Sequence, residues 1–127
     1  KVTCSEDEGG FYIKIDGPDN GVLIGRRGRT LNEIQYLLNT ILRRQFPGEQ
    51  KRVTIDIGSY RQRREQALYR LAEKSADKAF ATRREITLEP MNPQERRIIH
   101  LALKENPKVY TYSKGEEPYR KVIIAPK

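Results

Sequence analysis
The sequence is poor in the residues that build disulfide-bonded or metal-stapled folds. Its 127 residues include one cysteine, Cys4, and one histidine, His100. An internal disulfide framework is therefore impossible, and so is a zinc site built from histidine and cysteine. A Cys–His nucleophile pair would have to join opposite ends of the chain. Apolar runs are only a few residues long, far short of the roughly 20 that span a bilayer. The chain has no Gly-x-x-x-x-Gly-Lys phosphate loop and no Gly-x-Gly-x-x-Gly turn. No repeat, low-complexity segment or signal peptide is visible. The chain starts at Lys1 and not at Met, so it is expected to be a fragment with further segments upstream.

What is abundant is positive charge. There are 25 Lys+Arg against 17 Asp+Glu, a net charge of +8 and a pI near 9.7. A chain this basic is expected to meet a polyanion: nucleic acid first, an anionic membrane face second. The charge is uneven. Residues 1–58 carry 9 basic and 8 acidic side chains, and residues 59–127 carry 16 and 9. A solvated helix face is the ordinary meaning of such a run, so motifs must decide.

Alternation and punctuation predict an α+β chain. Val2 to Cys4 and Phe11 to Ile15 read as strands, with Glu6-Asp7-Glu8 and Gly9-Gly10 a solvated turn. Asp19 or Asn20 starts a short helix through Val22, Leu23 and Ile24. Leu31, Ile34, Leu37, Leu38, Ile41 and Leu42 then repeat at helical spacing, closed by Phe46. Thr30 with Glu33, and Ser59 with Gln62, have capping-box spacing. Val53 to Ile57 alternates like a half-buried strand. The next helix has an apolar stripe from Ala67 to Phe80, with Arg61, Arg63, Arg64, Arg70, Lys74 and Lys78 as its basic residues. Glu85 to Leu88 reads as a strand. Asn92-Pro93-Gln94-Glu95 starts a helix that runs to about Glu105. Strands follow at Val109–Ser113 and Arg120–Ala125. Two small domains are expected, 1–58 and 59–127. No flexible linker parts them, so they should hold a fixed relation or share the helix.

Two segments carry binding chemistry. In Gly25-Arg26-Arg27-Gly28, two helices meet at a turn with glycine at both ends. Without a Cβ, glycine lets a sugar-phosphate backbone approach closely. The following helix offers free amides and the positive end of its dipole. Arg26, Arg27 and Arg29 add three cations. The tetrapeptide alone is common and usually just a tight turn. The order strand, short helix, Gly-x-x-Gly, long helix, strand is that of a KH domain, whose loop clamps about four nucleotides. Leu23 is expected in the core, and Ile24 either there or in a groove for bases.

The second segment is Arg96-Arg97-Ile98-Ile99-His100. Ile98, Ile99, Leu101, Ala102 and Leu103 are expected on one broad side of the helix, with Arg96, Arg97, His100 and Lys104 on the other. Arg96 and His100, four apart, can hold a phosphate together. Strand periodicity puts Thr111 and Ser113 on one face and Tyr110, Tyr112 and Lys114 on the other. Tyr112 either stacks on a base or packs, while Tyr36, Tyr60 and Tyr69 read as structural. Nothing near His100 resembles the matching acid of a nuclease, so no catalytic residue, metal or cofactor is assigned.

Ile24 through Leu31, followed by Gln35-Tyr36-Leu37-Leu38-Asn39, resembles the KH domain of the bacterial Jag family, also called KhpB. The strand-first order is similar to a type II KH domain. Leu88-Glu89-Pro90-Met91, Arg96-x-x-x-His100 and Thr111 through Arg120 resemble the R-3-H domain, which binds single-stranded nucleic acid and follows KH in that family. The resemblance implies a cytoplasmic RNA-binding protein, an RNA chaperone or post-transcriptional regulator linked to cell elongation and cell-wall homeostasis. It makes Arg96 and His100 the leading ligands, with Lys114 and Arg120 contacting backbone. It also implies a small KH-only protein as heterodimer partner, a homodimer being the alternative. This fragment is expected to make no membrane contact, although the absent N-terminal domain links the family to the membrane-insertion machinery. Two other readings stand beside this one. One is an interaction or dimerisation module that touches RNA only through its basic half. The other is a single-stranded DNA-binding module.

Overall fold
The structure is a computed structural model that describes residues 1–48 and 51–127. The chain divides into two compact units, Lys1–Arg63 and Arg64–Lys127. Each is α+β with one three-stranded sheet.

In the first unit, β1 (Val2–Asp7) and β2 (Gly10–Ile15) form an antiparallel hairpin. Asp7 closes its turn by accepting from the Gly9 and Gly10 amides at 2.8 and 3.1 Å. The chain then crosses through α1 (Asn20–Ile24), a 3-10 turn (Arg26–Gly28) and α2 (Arg29–Gln45) to β3 (Arg52–Ile57), which lies parallel to β2. Phe11, Ile13 and Ile15 pack against a core of Ile24, Leu31, Val53, Ile55 and Ile57. The expected stripe of α2 splits in two. Leu31, Ile34, Leu38 and Leu42 pack inward, but Leu37 and Ile41 are 58% and 43% exposed. One sheet covers only one stripe of a helix, and these two residues sit a step around it.

The sheet order β1-β2-β3 leaves β3 at an edge. Unpaired strand edges invite foreign pairing, and here side chains block it. Asn39 Oδ1 accepts from the Val53 amide at 2.8 Å, and its Nδ2 donates to the Val53 carbonyl at 2.9 Å. Gln35 Oε1 accepts from the Ile55 amide, and Arg61 Nε donates to the Ile55 carbonyl.

In the second unit, α3 (Tyr60–Thr82), whose first residues belong to the first unit, buries Leu68, Ala72, Ser75, Ala76 and Ala79. The expected Ser59 cap does not form. Ser59 has φ 58°, not the extended backbone of a capping residue, and Asp56 takes the Arg61 amide instead. After β4 (Ile86–Thr87) comes α4 (Pro93–Leu103), capped as expected: Asn92 accepts from the Glu95 amide at 2.8 Å. β5 (Val109–Lys114) and β6 (Lys121–Pro126) complete an antiparallel sheet of order β4-β6-β5. Val109, Val122 and Ile124 face the helices and join Leu68, Ile99 and Leu103 in the core. Among the described residues, no helix is long and apolar enough to cross a membrane.

Candidate nucleic-acid interface
The Gly25–Gly28 loop is built by left-handed backbone. Gly25 has φ 73°, Gly28 has φ 76°, and Arg27 between them has φ 56°. The glycines also answer to the protein's own packing. A Cβ on Gly25 would lie 2.2 Å from Thr30 Oγ1, and one on Gly28 would lie 2.5 Å from the Tyr60 ring. Room for a ligand is thus not their only reason. The turn projects Arg26 into solvent, with Arg27 half-buried. Arg29 opens α2 and pairs with Glu33 at 3.2 Å, both largely exposed, an arrangement that contributes little stability. That pairing replaces the Thr30–Glu33 capping box. No side chain caps α2, so its first turn keeps donors for an anion. Leu23 packs against the core and Ile24 lies in it. Val22 beside them is 76% exposed, an apolar position near the loop that sequence reasoning left unassigned.

In the second unit, α4 lies against the inner face of β5. Its buried residues are Glu95, Arg96, Ile99 and Leu103, one stripe at helical spacing, while Leu101 of the expected apolar side is exposed. Arg96 and His100 do share a face, but Arg96 is only 7% exposed. Its Nη1 donates to the Met91 carbonyl at 2.6 Å and its Nη2 to Glu117 Oε1 at 2.5 Å. Arg96, which the spacing put toward solvent, is instead packed under the β5–β6 connection, while Arg97 and Lys104 of the same side are exposed. The reason is that Glu117 and the Met91 carbonyl supply partners for a buried guanidinium.

His100 is held at both ring nitrogens: Nδ1 lies 2.6 Å from Thr111 Oγ1 and Nε2 lies 2.8 Å from Ser113 Oγ. Hydroxyls donate or accept, so they satisfy the neutral ring and the imidazolium alike. Burial pushes the His100 pKa below its ordinary 6.5, and the nearby Arg96 and Arg120 push it the same way. Two guanidinium groups, those of Arg96 and Arg120, thus lie near the imidazole. Arg120 is further fixed by donating to the Gly115 carbonyl at 2.6 Å. Lys114 belongs elsewhere, on the outer face of the sheet with Tyr110 and Tyr112. Thus Arg96, His100 and Arg120 converge, while Lys114 does not join them.

Family models match the chain in two stretches: a KhpA/KhpB KH domain over residues 1–57 and an R-3-H domain over residues 66–126. The chain is 44% identical over 124 residues to an RNA-binding protein KhpB of Clostridium symbiosum, covering 98% of this chain and 55% of that protein. It is 41% identical over 128 residues to the KhpB of Bacillus subtilis, covering 99% and 61%. The KhpB of Lactiplantibacillus plantarum is 37% identical over 113 residues, covering 89% and 35%. The chain belongs to the KhpB family. It spans little more than half the length of the first two relatives.

Within this KhpB-family chain, the resemblance residues divide into two kinds. Gly25 through Arg29 shape a cationic loop with Arg26 and Arg29 exposed, whereas Gln35 and Asn39 seal the edge of β3. Sequence reasoning missed Glu117, which lies 21 residues from its partner Arg96. It also missed the Arg64–Glu95 pair, at 2.7 Å. No local signal announces either one. Thr111 and Ser113 had one: their alternation put them on a common face, which turned out to be the one that meets His100.

Proposed function
We propose that this chain binds single-stranded RNA through two sites, the Gly25–Gly28 loop of the KH domain and the Arg96–His100–Arg120 cluster of the R-3-H domain. The observation that carries the reading is the loop. It is a turn of left-handed backbone with Arg26 exposed at its tip, opening onto an uncapped 17-residue helix. Backbone amides and guanidinium groups together are the donors a phosphate chain takes. The relatives' name, RNA-binding protein, favours RNA over single-stranded DNA. In the second site, the buried Arg96 orients and charges the cluster, while His100 and Arg120 meet the ligand. Lys114 contacts backbone from the outer face. The finer role as a cytoplasmic RNA chaperone or post-transcriptional regulator in cell elongation and wall homeostasis rests on family resemblance alone. The test is binding of the chain to a short single-stranded RNA, its DNA counterpart and an RNA duplex over a salt series. A preference for single-stranded RNA, weakened by Arg26→Asp with Arg27→Asp while the thermal melt is unchanged, is expected. Unchanged affinity in that variant removes the loop from the site.

A second reading concerns a protein partner. Tyr36, Leu37 and Phe46 on or beside α2 are each more than half exposed, and Ile41 joins them. A grouped apolar face of this kind marks an interaction surface. Its occupant would be a small KH-only protein, with a second copy of this chain as the alternative. Sedimentation of Leu37→Glu with Ile41→Glu, alone and with such a partner, tests it: association that survives both charges rejects the face.

A further inference from the structure
The outer face of the second sheet carries an arrangement of which the proposed function uses only Lys114. In antiparallel register, Tyr112 lies opposite Ile123, Tyr110 opposite Ala125, and Lys114 opposite Lys121. Directly opposite residues share a sheet face. All six therefore lie on the side away from the core, which takes Val109, Val122 and Ile124. Yet Ile123 and Ala125 are only 3% and 1% exposed.

The tyrosines account for that burial. Tyr112 stands on β5, one edge of the sheet. Its hydroxyl donates to Glu85, at 3.0 and 3.1 Å from the two carboxylate oxygens, and Glu85 immediately precedes β4, the other edge. To reach it, the ring must lie across β6, over Ile123. Tyr110 is nearly parallel to it, with centroids 6.2 Å apart and planes 24° apart. That separation is close to the ~7 Å between alternate residues of a strand. The two rings thus stack as near-parallel neighbours along β5, with part of each in solvent. Tyr110 remains 49% exposed and Tyr112 36%.

Next along the same face come Lys114 and Lys121. Like charges directly across a ladder oppose one another. Among the described residues, neither ammonium has a carboxylate within ion-pair distance. Glu85 sits at the opposite edge, its carboxylate engaged by the phenol. One end of the face is therefore an unneutralised cationic pair, and the rest is an aromatic floor.

We propose that this outer face is a third contact for single-stranded RNA. Two successive bases stack on Tyr110 and Tyr112, and the adjoining phosphate lies between Lys114 and Lys121. The inference rests on the RNA-binding reading above and adds a base-contacting surface to it. Aromatic floors suit unpaired bases because every base has a π-face, so the surface is tolerant of sequence. A duplex, whose bases are already stacked, cannot use it.

The test compares a short oligouridylate with its abasic ribose-phosphate counterpart on the 127-residue chain. Tyr110→Leu with Tyr112→Leu keeps Ile123 covered but removes the π-faces. It is expected to weaken oligouridylate binding at least about fivefold, the lower end of one base stack. The preference for the strand with bases should shrink by the same factor, and the salt slope should not move. Lys114→Gln with Lys121→Gln should instead flatten the slope by about 0.7 for each phosphate that the two ammonium groups neutralise. Tyr112→Phe keeps the ring and should keep the preference for bases, which guards against a leucine variant that fails to fold. Two results overturn the proposal: a double leucine variant that folds and binds like the parent, or a parent that binds the abasic strand equally well. If either occurs while Arg26→Asp with Arg27→Asp still weakens RNA binding, only this third surface falls. If the parent binds no single strand at all, the RNA-binding reading falls with it.

Discussion

At the scale of single residues, the second site turns on burial more than on charge. The spacing of Arg96 and His100 suggests two exposed ligands, and on that view either alanine variant would leave the fold intact. The structure separates them. Arg96→Ala would strand the buried Met91 carbonyl and strip Glu117 of its partner. Glu117 is half exposed, so its share of the loss is discounted for solvent. A destabilisation of about 1–3 kcal/mol is expected. Urea unfolding measures it, and a midpoint equal to the parent's would contradict the packing described. His100 adds a pH dependence. Its folded pKa is depressed, so the fold favours the neutral ring. Stability from that preference is full above the ordinary value of 6.5 and is lost as pH falls below it. A phosphate beside Arg96, His100 and Arg120 has the opposite effect, because it screens the two guanidinium groups and favours the imidazolium. RNA binding then takes up a proton, and affinity should rise as pH is lowered from about 8 to about 6. His100 is the chain's one histidine, so the His100→Gln variant should lose this rise. A parent whose affinity is flat over that range places RNA elsewhere.

At the scale of elements, the two faces of α2 do different work. One packs on the sheet, and its polar neighbours Gln35 and Asn39 occupy the groups of β3 that would otherwise pair with another chain. Gln35→Ala with Asn39→Ala should cost about 1–3 kcal/mol for each amide left unsatisfied. It should also produce self-association that depends on concentration, because an open edge recruits strands. Sedimentation velocity tests this, and a stable monomer would show that water replaces the amides without consequence. The same helix shows what local pattern carries. Its length, its start beside Gly28 and its inward stripe are legible because periodicity and glycine act within a few residues. The exposure of Leu37 and Ile41 is not legible, since apolar residues one step apart look alike until a sheet chooses between them. Likewise Arg61, Arg63 and Arg64 count as cations on α3. The fold consumes them on the Ile55 carbonyl, the Gly58 carbonyl and Glu95. A charge tally cannot see partners supplied by distant backbone.

At the scale of the whole molecule, function depends on whether one RNA can engage both units. The two cationic sites lie in separate compact units, each with its own core. Each alone would hold a flexible strand weakly. Once a strand bridges them, the second site is filled at the effective concentration set by the linkage, and affinity climbs without any new interaction. A length series of oligouridylates should therefore show a step. Strands too short to bridge should bind weakly, because only one site is filled at a time. Beyond a threshold length the parent should gain about a hundredfold or more. Arg26→Asp with Arg27→Asp removes one anchor and should abolish the step while leaving weak binding by the other unit. The salt slope gives an independent count, since it steepens by about 0.7 for every phosphate engaged on a single strand. It should therefore jump at the same length in the parent and stay level in the variant. If affinity instead grows smoothly with length in both proteins, the extra nucleotides add only statistical registers, and the units bind separate strands.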